Sequence, residues 1–183
     1  LPANLTCEAE FEADFSMNAG ETIGFIPQNP FTALSPMTKI SKQFFAPEIK
    51  QKECINMVGL NEMFLERFPS ELSGGQLQRV IIAMAIAQNP KLLLLDEPTT
   101  ALDFDMKEKI IALLEELHKK MGFEMIFVTH ELPLAKRLCK DCIVLKEGVV
   151  IERGSSEQIF NAPLREYTKA LLNVGFENRS FRQ

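Results

Sequence analysis

The chain has 183 residues, a net charge of −5 and no concentrated basic block, which argues against nucleic acid as its main partner. This length suits a single domain with a sizeable hydrophobic core. The longest apolar run, residues 80–87, is too short to span a bilayer, so any membrane role would have to come through a partner. Cys139 and Cys142 form a lone CxxC without a second pair at zinc spacing, which does not predict a metal site.

A strand is predicted at 22–26, after a less regular segment in which 9–15 alternates weakly and could form another strand. The strand at 22–26 runs into Pro27-Gln28-Asn29-Pro30, a loop bracketed by two prolines. Gln28 could simply be exposed in this loop. Its amide oxygen is also a suitable hard ligand for a cation such as Mg²⁺, so a binding role stays open.

Residues 37–68 show a helical pattern that is interrupted at Pro47 and again around 59–61. The segment carries too many large apolar side chains for a free loop: Phe44, Phe45, Ile49, Ile55, Met57, Val58, Leu60, Met63, Phe64, Leu65 and Phe68. Two interpretations are equally open. These side chains fill the small core of a helical subdomain, or some of them stay exposed and form a surface for a partner.

The most informative stretch begins with a serine and two glycines at the start of an apolar helix. Gly74 and Gly75 leave backbone N–H groups bare at the helix N-terminus, and Ser73 adds a hydroxyl, an arrangement that suits a phosphate. Residues 80–87 are apolar on nearly every side, so this helix is expected to be buried. An Asn-Pro pair ends it.

A short apolar strand is predicted at 92–95, directly before two adjacent acids, Asp96 and Glu97. Its lack of alternation is typical of a central parallel strand that is covered on both faces. Ligands of parallel sheets bind beyond the carboxyl ends of the strands. One carboxylate there can hold Mg²⁺, and its neighbour can orient or deprotonate a water molecule. An isolated Asp-Glu pair, by contrast, is more often a solvated loop.

An amphipathic helix is predicted at 104–121, with Asp103 in position to cap its N-terminus. A second buried strand, at 125–128, ends at Thr129 and His130, again on the ligand side of a parallel sheet. The imidazole of His130 can donate a hydrogen bond to a phosphate oxygen, or it can be an ordinary surface histidine.

In this order and spacing, the motifs resemble the nucleotide-binding domain of ABC transporters, and the resemblance covers nearly the whole chain. LSGGQ at 72–76 matches the family signature, LLLLDE at 92–97 matches the Walker B strand, and ALD at 101–103 matches the D-loop. Gln28 resembles the Q-loop glutamine. The surrounding segment FIPQNPFTALSP and the C-terminal segment SSEQIFNAPLREYTKALL, at 155–172, resemble the corresponding segments in the ATPases of oligopeptide, dipeptide and nickel importers.

The resemblance implies an α/β fold, an ABC-type P-loop NTPase domain with a mainly parallel sheet. A single partial ATPase domain would span 1–183. It would contain a helical subdomain at 36–88, which includes the signature helix, and a C-terminal hairpin and helices at 141–183. The hairpin is predicted to turn at Glu147-Gly148.

The resemblance also implies roles in binding ATP and Mg²⁺. Asp96 would hold Mg²⁺, and Glu97 would be the base for the attacking water. Gln28 would reach the Mg²⁺ and the water when the site closes, and His130 would contact the γ-phosphate. The other family positions would bind the nucleotide of a second subunit or lie at the interface with it: Ser73, Gly74, Gly75, Gln76 and Asp103.

Three kinds of partner follow from the same resemblance. A second ABC ATPase subunit would form a homodimer or heterodimer with this one, head to tail. Transmembrane permease subunits would hold the pair at the cytoplasmic face of the membrane as a peripheral protein. An extracytoplasmic substrate-binding protein would act through the permeases, and no nucleic acid is expected.

One family motif is missing from these 183 residues, because no GxxxxGK[ST] occurs. That Walker A loop would supply the amides and the lysine that cradle the phosphates. The intact protein is therefore expected to be an ATPase, and the chain as written is expected to be inactive. The segments around residues 10–20 and 40–50 also look shorter than the corresponding segments of family members. Either the natural protein lost part of them, or the sequence as written omits residues.

Two other classes of protein stay open. The chain could be a non-catalytic, ABC-like interaction module, or a soluble ABC ATPase of DNA repair or translation. Repair-type proteins insert a long coiled coil, and no heptad pattern of that length is present.

Overall fold

The structure, a computed structural model, describes residues 4–7, 23–100 and 102–177, and for 4–7 and 175–177 the backbone alone. The strands are β1 (Asn4–Cys7), β2 (Ile23–Ile26), β3 (Leu92–Asp96), β4 (Glu124–Thr129), β5 (Asp141–Lys146) and β6 (Val149–Ser155). The helices are α1 (Pro30–Ala33), α2 (Glu48–Met57), α3 (Gly74–Ala87), α4 (Phe104–Met121), α5 (Leu132–Leu138), α6 (Ser156–Asn161) and α7 (Glu166–Glu177). Short 3₁₀ helices in the described ranges lie at Ile40–Gln43, Glu62–Glu66 and Pro69–Glu71.

The chain divides into two compact units. One lies within Phe15–Glu124 and is called the signature unit here; the other combines Leu1–Asp14 with Met125–Gln183 and is called the hairpin unit. None of the helices in the described ranges has the length and apolar character needed to cross a membrane. The subdivision at 36–88 and 141–183 stays a prediction.

In the signature unit, β2 and β3 pair in parallel, from Ile23 opposite Leu92 to Ile26 opposite Leu95. The strands predicted at 22–26 and 92–95 are thus confirmed. β3 is largely buried, whereas Phe25 of β2 is 56% exposed. Helix α3 packs closely against β2. A Cβ on Gly24 would lie 2.8 Å from Leu93 Cδ1 and 3.2 Å from the Ala85 carbonyl oxygen, so only glycine allows this approach.

The signature helix α3 is buried along most of its length, as its composition predicts. Val80, Ile82 and Ile86 have no exposed surface. Helix α4 covers the predicted range 104–121 and ends at Gly122, whose φ of 70° closes the helix in the left-handed conformation.

The helical pattern predicted for 37–68 is realised as α2 and two of the 3₁₀ helices. Its large apolar side chains divide between the two interpretations. One group is buried: Phe44, Ile55, Val58, Leu60 and Leu65. A second group is exposed: Phe45 (91%), Ile49 (76%), Met63 (67%) and Phe68 (36%). The segment therefore has its own core and also presents an apolar surface to solvent.

In the hairpin unit, β1 pairs antiparallel with both β4 and β5, and β5 pairs antiparallel with β6. The β5–β6 turn is at Glu147 and Gly148, as predicted, and both have positive φ. The weak strand predicted at 9–15 lies outside the described residues. Strand β1 was not predicted, because NLTC has no clear alternation of its own.

A buried carboxylate fixes the start of α7 in this unit. Glu152 lies on β6 with 6% of its surface exposed. Its two oxygens accept hydrogen bonds from the backbone N–H groups of Leu164, at 2.8 Å, and Arg165, at 3.1 Å. Burial raises the pKa of Glu152, but these hydrogen bonds and the Arg165 charge outweigh it and hold the pKa below its ordinary value.

Replacing Glu152 by glutamine should destabilise the hairpin unit by about 1–3 kcal/mol, because the charged acceptor of two part-buried hydrogen bonds is lost. Since the folded-state pKa is depressed, the carboxylate stabilises the wild type above pH 4.5, and that contribution is lost as the pH falls below 4.5. Thermal unfolding of both proteins between neutral and acidic pH measures this. The two curves should converge at low pH, and parallel curves would contradict the assignment. Glu157→Gln, at an exposed position of α6, is the control.

Candidate active site

Glu97 directly follows β3, and its backbone occupies the left-handed region with a φ of 44°. Residues other than glycine rarely adopt this conformation, and such strain is concentrated at functional sites. The chain then turns, and the Thr100 N–H donates to the Glu97 carbonyl oxygen at 3.2 Å. The buried strand and this turn together fix the position from which the carboxylate projects.

Gln28 and Glu97, which are 69 positions apart, meet at the carboxyl ends of β2 and β3. The Gln28 side-chain amide donates to Glu97 Oε2 at 2.8 Å. The parallel register explains the contact, because Ile26 lies opposite Leu95 and the two chains leave the sheet at the same edge. Both residues thus lie at the carboxyl ends of one parallel strand pair, and their roles in binding stay predictions.

Thr100 is a member of this cluster that the sequence analysis did not identify. Its hydroxyl donates to the same oxygen, Glu97 Oε2, at 3.0 Å. The available signal was local: a threonine placed three residues after a carboxylate, in a turn, can reach it. That signal is common in loops and does not by itself indicate a site.

The fit to Mg²⁺ depends on the kinds of oxygen present at this edge. Asp96 is the last residue of β3 and is half-buried, and the Gln28 amide donates through its nitrogen, which leaves its oxygen as an available ligand. Mg²⁺ in nucleotide sites uses one or two carboxylates and takes its other ligands from phosphate and water. Within the described ranges no group of three or more His, Cys, Asp or Glu forms a complete protein cage. The Asp96 carboxylate and the Gln28 amide oxygen are the kinds of ligand that Mg²⁺ uses in such sites.

The start of α3 is closed by a reciprocal pair of hydrogen bonds. The Gln76 N–H donates to Ser73 Oγ at 3.4 Å, and the Ser73 N–H donates to the Gln76 side-chain oxygen at 3.0 Å. Ser73 is exposed, and because its oxygen accepts from the helix, its O–H is directed elsewhere and can donate to a ligand.

The two signature glycines differ in their surroundings. A Cβ on Gly75 would lie 2.6 Å from Met106 Sδ and 2.7 Å from Met106 Cγ, whereas a Cβ on Gly74 would meet nothing closer than 3.9 Å. The absence of a side chain at Gly75 thus lets Met106 of α4 lie against the start of α3. The sequence could not reveal this, because Met106 is far away in the chain.

Asp103 caps α4, as predicted from its position. Its Oδ1 accepts from the Met106 N–H at 2.8 Å, so Asp103 also fixes the residue that packs on Gly75. A role at a subunit interface stays a prediction for this exposed side chain.

His130 follows β4 and belongs to the hairpin unit. It is exposed, and the preceding Thr129 is buried, with its hydroxyl oxygen accepting from the Glu131 N–H at 2.9 Å. This contact shapes the backbone around His130. The contact of His130 with a γ-phosphate stays a prediction.

Comparison with known proteins identifies the pattern. Residues 7–100 match a family described as ABC transporter. The oligopeptide transport ATP-binding protein OppD of Bacillus subtilis is 40% identical over 167 residues, which are 84% of this chain and 47% of that protein. The dipeptide transport ATP-binding protein DppD of Escherichia coli is 40% identical over 169 residues, 85% of this chain and 52% of that protein. The chain thus spans about half the length of these relatives.

Two solved structures have a similar fold. One is the dimeric, post-hydrolysis ATP-binding cassette MJ0796 bound to ADP and Pi, with a TM-score of 0.63 and 33% identity over 77% of this chain and 68% of that chain. The other is CbiO1 from Clostridium perfringens, part of the complex cbiONQ, with a TM-score of 0.67 and 28% identity over 87% of this chain and 68% of that chain. The first is an ATP-binding cassette and the second is part of an ABC transporter complex, so the α/β, ABC-type fold class is confirmed.

The glycine environments predict different effects of the same substitution. Gly75→Ala should destabilise the protein by about 1–3 kcal/mol, because its methyl group would overlap Met106. Gly74→Ala, the matched control, has room for its methyl group and should be neutral or stabilising by up to about 1 kcal/mol, as alanine is the better helix former.

Chemical denaturation of the single variants and of Gly75→Ala in a Met106→Ala background measures this overlap. In that background, the substitution at Gly75 should lower the free energy of unfolding by a smaller amount. A double-mutant cycle measures this coupling between the two residues. Equal costs with and without the methionine side chain would contradict the packing role.

Proposed function

Because this chain belongs to the ABC transporter family, we propose that the protein containing it binds and hydrolyses ATP to drive an importer. The observation that carries this proposal is the 2.8 Å hydrogen bond between the Gln28 amide and Glu97 Oε2. It joins the residues that resemble the Q-loop glutamine and the catalytic glutamate, at the edge of the sheet where ligands of parallel strands bind.

Glu97 is the proposed general base. The oxygen of a water molecule bonds to the γ-phosphorus, and one of its protons passes to the carboxylate. The bond from the γ-phosphorus to the β–γ bridging oxygen breaks, which gives ADP and inorganic phosphate. A Mg²⁺ ion held by Asp96 and the Gln28 amide oxygen would supply charge neutralisation on the phosphate oxygens. His130 would donate a hydrogen bond to the γ-phosphate.

ATP is proposed to bind between two subunits that are arranged head to tail. The exposed hydroxyl of Ser73 and the N-terminal N–H groups of α3 offer donors to the phosphates bound by the partner subunit. Gly74, Gly75 and Gln76 belong to the same helix start, and Asp103 would lie at the interface. The dimeric state of the MJ0796 cassette supports this arrangement. A homodimer and a heterodimer fit equally.

Peptides are the proposed cargo. The relatives named above transport oligopeptides and dipeptides, and the Q-loop and tail are similar to that subfamily, which also includes nickel importers. Transmembrane permeases would hold the ATPase at the cytoplasmic face of the membrane, and an extracytoplasmic binding protein would deliver the cargo. The exposed apolar group of Phe45, Ile49 and Met63 supports docking to a permease.

Two alternatives differ in what they require of the site. A non-catalytic interaction module would not need Gln28, Asp96 and Glu97 at one edge of a sheet, and the contact between Gln28 and Glu97 disfavours it. A soluble ATPase of repair or translation would share the site. Binding of a permease by the protein would distinguish the proposed importer from this alternative.

Glu97→Gln in the full-length natural protein should lower the ATP turnover rate by about a hundredfold or more, because the amide cannot accept the proton. ATP binding should persist, since the substitution keeps the shape of the side chain and one acceptor oxygen. Steady-state phosphate release and nucleotide titration measure the two properties. Glu116→Gln, on the exposed side of α4, is the control. Normal turnover by Glu97→Gln would refute the base assignment.

A polypeptide of these 183 residues alone should not bind Mg-ATP detectably in a calorimetric titration, because it contains no GxxxxGK[ST] phosphate cradle. The full-length natural protein, titrated in parallel, should bind. Clear binding by the 183-residue chain would show that other residues hold the phosphates, and it would overturn the proposal that this chain is inactive.

A further inference from the structure

One polar side chain of the signature helix α3 is buried without a hydrogen-bond partner. Gln78 has 1% of its surface exposed, and its amide nitrogen, Nε2, has no partner in the described part of the chain. A buried donor that makes no hydrogen bond costs free energy, and natural structures pair nearly all such groups. The unpaired amide of Gln78 therefore needs a physical explanation.

Gln78 lies on the face of α3 that also carries the two signature glycines. It comes four residues after Gly74 and three after Gly75, the spacings that place residues on one side of a helix. A Cβ on Gly74 would lie 4.0 Å from Leu102 Cδ2, and a Cβ on Gly75 would lie 2.6 Å from Met106 Sδ. This face of α3 thus lies against the start of α4 and the residue that leads into it.

That segment offers an acceptor in the backbone carbonyl oxygen of Leu102. The Asp103 carbonyl oxygen accepts from the Lys107 N–H at 2.9 Å, and the carbonyls that follow belong to the hydrogen-bond ladder of α4. Leu102 precedes the cap, so its carbonyl lies outside this ladder. Because helical side chains point back towards the helix N-terminus, Gln78 is directed to the turn of α3 that Leu102 approaches.

Asp103 connects this acceptor to the surface of the protein. Its exposed side chain holds the Met106 N–H at 2.8 Å, and its backbone continues directly from Leu102. The Leu102 N–H donates to the Thr99 carbonyl oxygen at 3.1 Å, which ties the same peptide segment to the preceding turn. A force on Asp103 would therefore move the backbone that faces Gln78.

We propose that Gln78 is a positioning residue for the nucleotide-bound dimer. Its amide is unpaired in the single subunit and donates to the Leu102 carbonyl oxygen once a second subunit presses on Asp103. This pairing removes the free-energy cost of the buried donor, so it favours the closed dimer and fixes Asp103 beside the signature helix. The inference rests on the proposed function, which places Asp103 at the interface between two subunits.

The first test compares the stability of two glutamine variants in the nucleotide-free, full-length natural protein. Gln78→Met keeps the length of the side chain and removes the unpaired donor, so the thermal unfolding midpoint should rise by about 2–4 °C. Gln51→Met is the matched control. Gln51 is also buried, at 8% exposure, but its amide donates to the Ala46 carbonyl oxygen at 2.9 Å, so the midpoint should fall by a similar amount.

The second test measures dimer formation with Mg²⁺ and AMP-PNP, an ATP analogue that is not hydrolysed. Sedimentation of the full-length protein, together with the second ATPase subunit where the pair is a heterodimer, gives the dissociation constant of the dimer. Gln78→Met should raise this constant about tenfold, because the closed state loses a buried hydrogen bond. Gln78→Leu, a second apolar variant, should do the same, and Gln51→Met should leave the constant within about twofold of the wild type.

Two results would overturn the inference. A fall in the midpoint of Gln78→Met as large as that of Gln51→Met would show that the amide is already paired in the single subunit. An unchanged dissociation constant in Gln78→Met would show that the closed dimer does not use the amide. If the wild type does not dimerise with the analogue, the proposed two-subunit ATP site is itself wrong; if it does, either result refutes the role of Gln78 alone.

Discussion

The geometry of the candidate site depends on one backbone position, where the buried strand β3 ends and Glu97 adopts the left-handed conformation. That conformation costs of order 1–3 kcal/mol for a residue other than glycine, so its surroundings must impose it. On one side, Leu93 and Leu95 are fully or almost fully buried and hold the strand. On the other, the turn to Thr100 closes with a backbone hydrogen bond. The buried strand and the turn together hold the Glu97 backbone in its strained conformation, and this conformation sets the position of the carboxylate.

A second constraint links the helix start that suits a phosphate with the turn that follows the acids. Gly75 has no room for a side chain because Met106 lies against it, and Met106 is held through its N–H by Asp103. The glycine at this helix start therefore allows close packing of α3 against α4, and the phosphate contact proposed for it would be a second demand on the same residue. Because Asp103 caps α4, displacement of that carboxylate would also disturb the packing at Gly75. The LSGGQ and ALD segments are thus linked by packing within one chain.

The features that the sequence predicted are those that composition decides locally. The unbroken apolar runs of α3 and β3 indicate burial on all sides, and acids directly after such a strand must lie at the ligand edge. The meeting of Gln28 and Glu97 also requires β2 and β3 to pair in parallel, which the sequence analysis did not predict. Met106 opposite Gly75 was not predicted either, because it depends on which residue of α4 faces α3. Nor could the sequence divide the apolar residues of 37–68, since Phe44 is buried and Phe45 is 91% exposed according to which face the neighbouring helices cover.

The distribution of burial also decides which part of the site is mobile. The Q-loop is fixed at both ends: β2 precedes it, and Asn29 caps α1 by accepting from the Phe31 N–H at 3.0 Å, with Pro30 buried beneath. Between these anchors Gln28 is exposed, and a hydrogen bond between exposed polar groups contributes only about 0.5–1.5 kcal/mol net, because water can replace either partner. Glu97 is tied to a buried strand whose displacement would open the core. The exposed Gln28 side chain is therefore less constrained than the buried strand that carries Glu97.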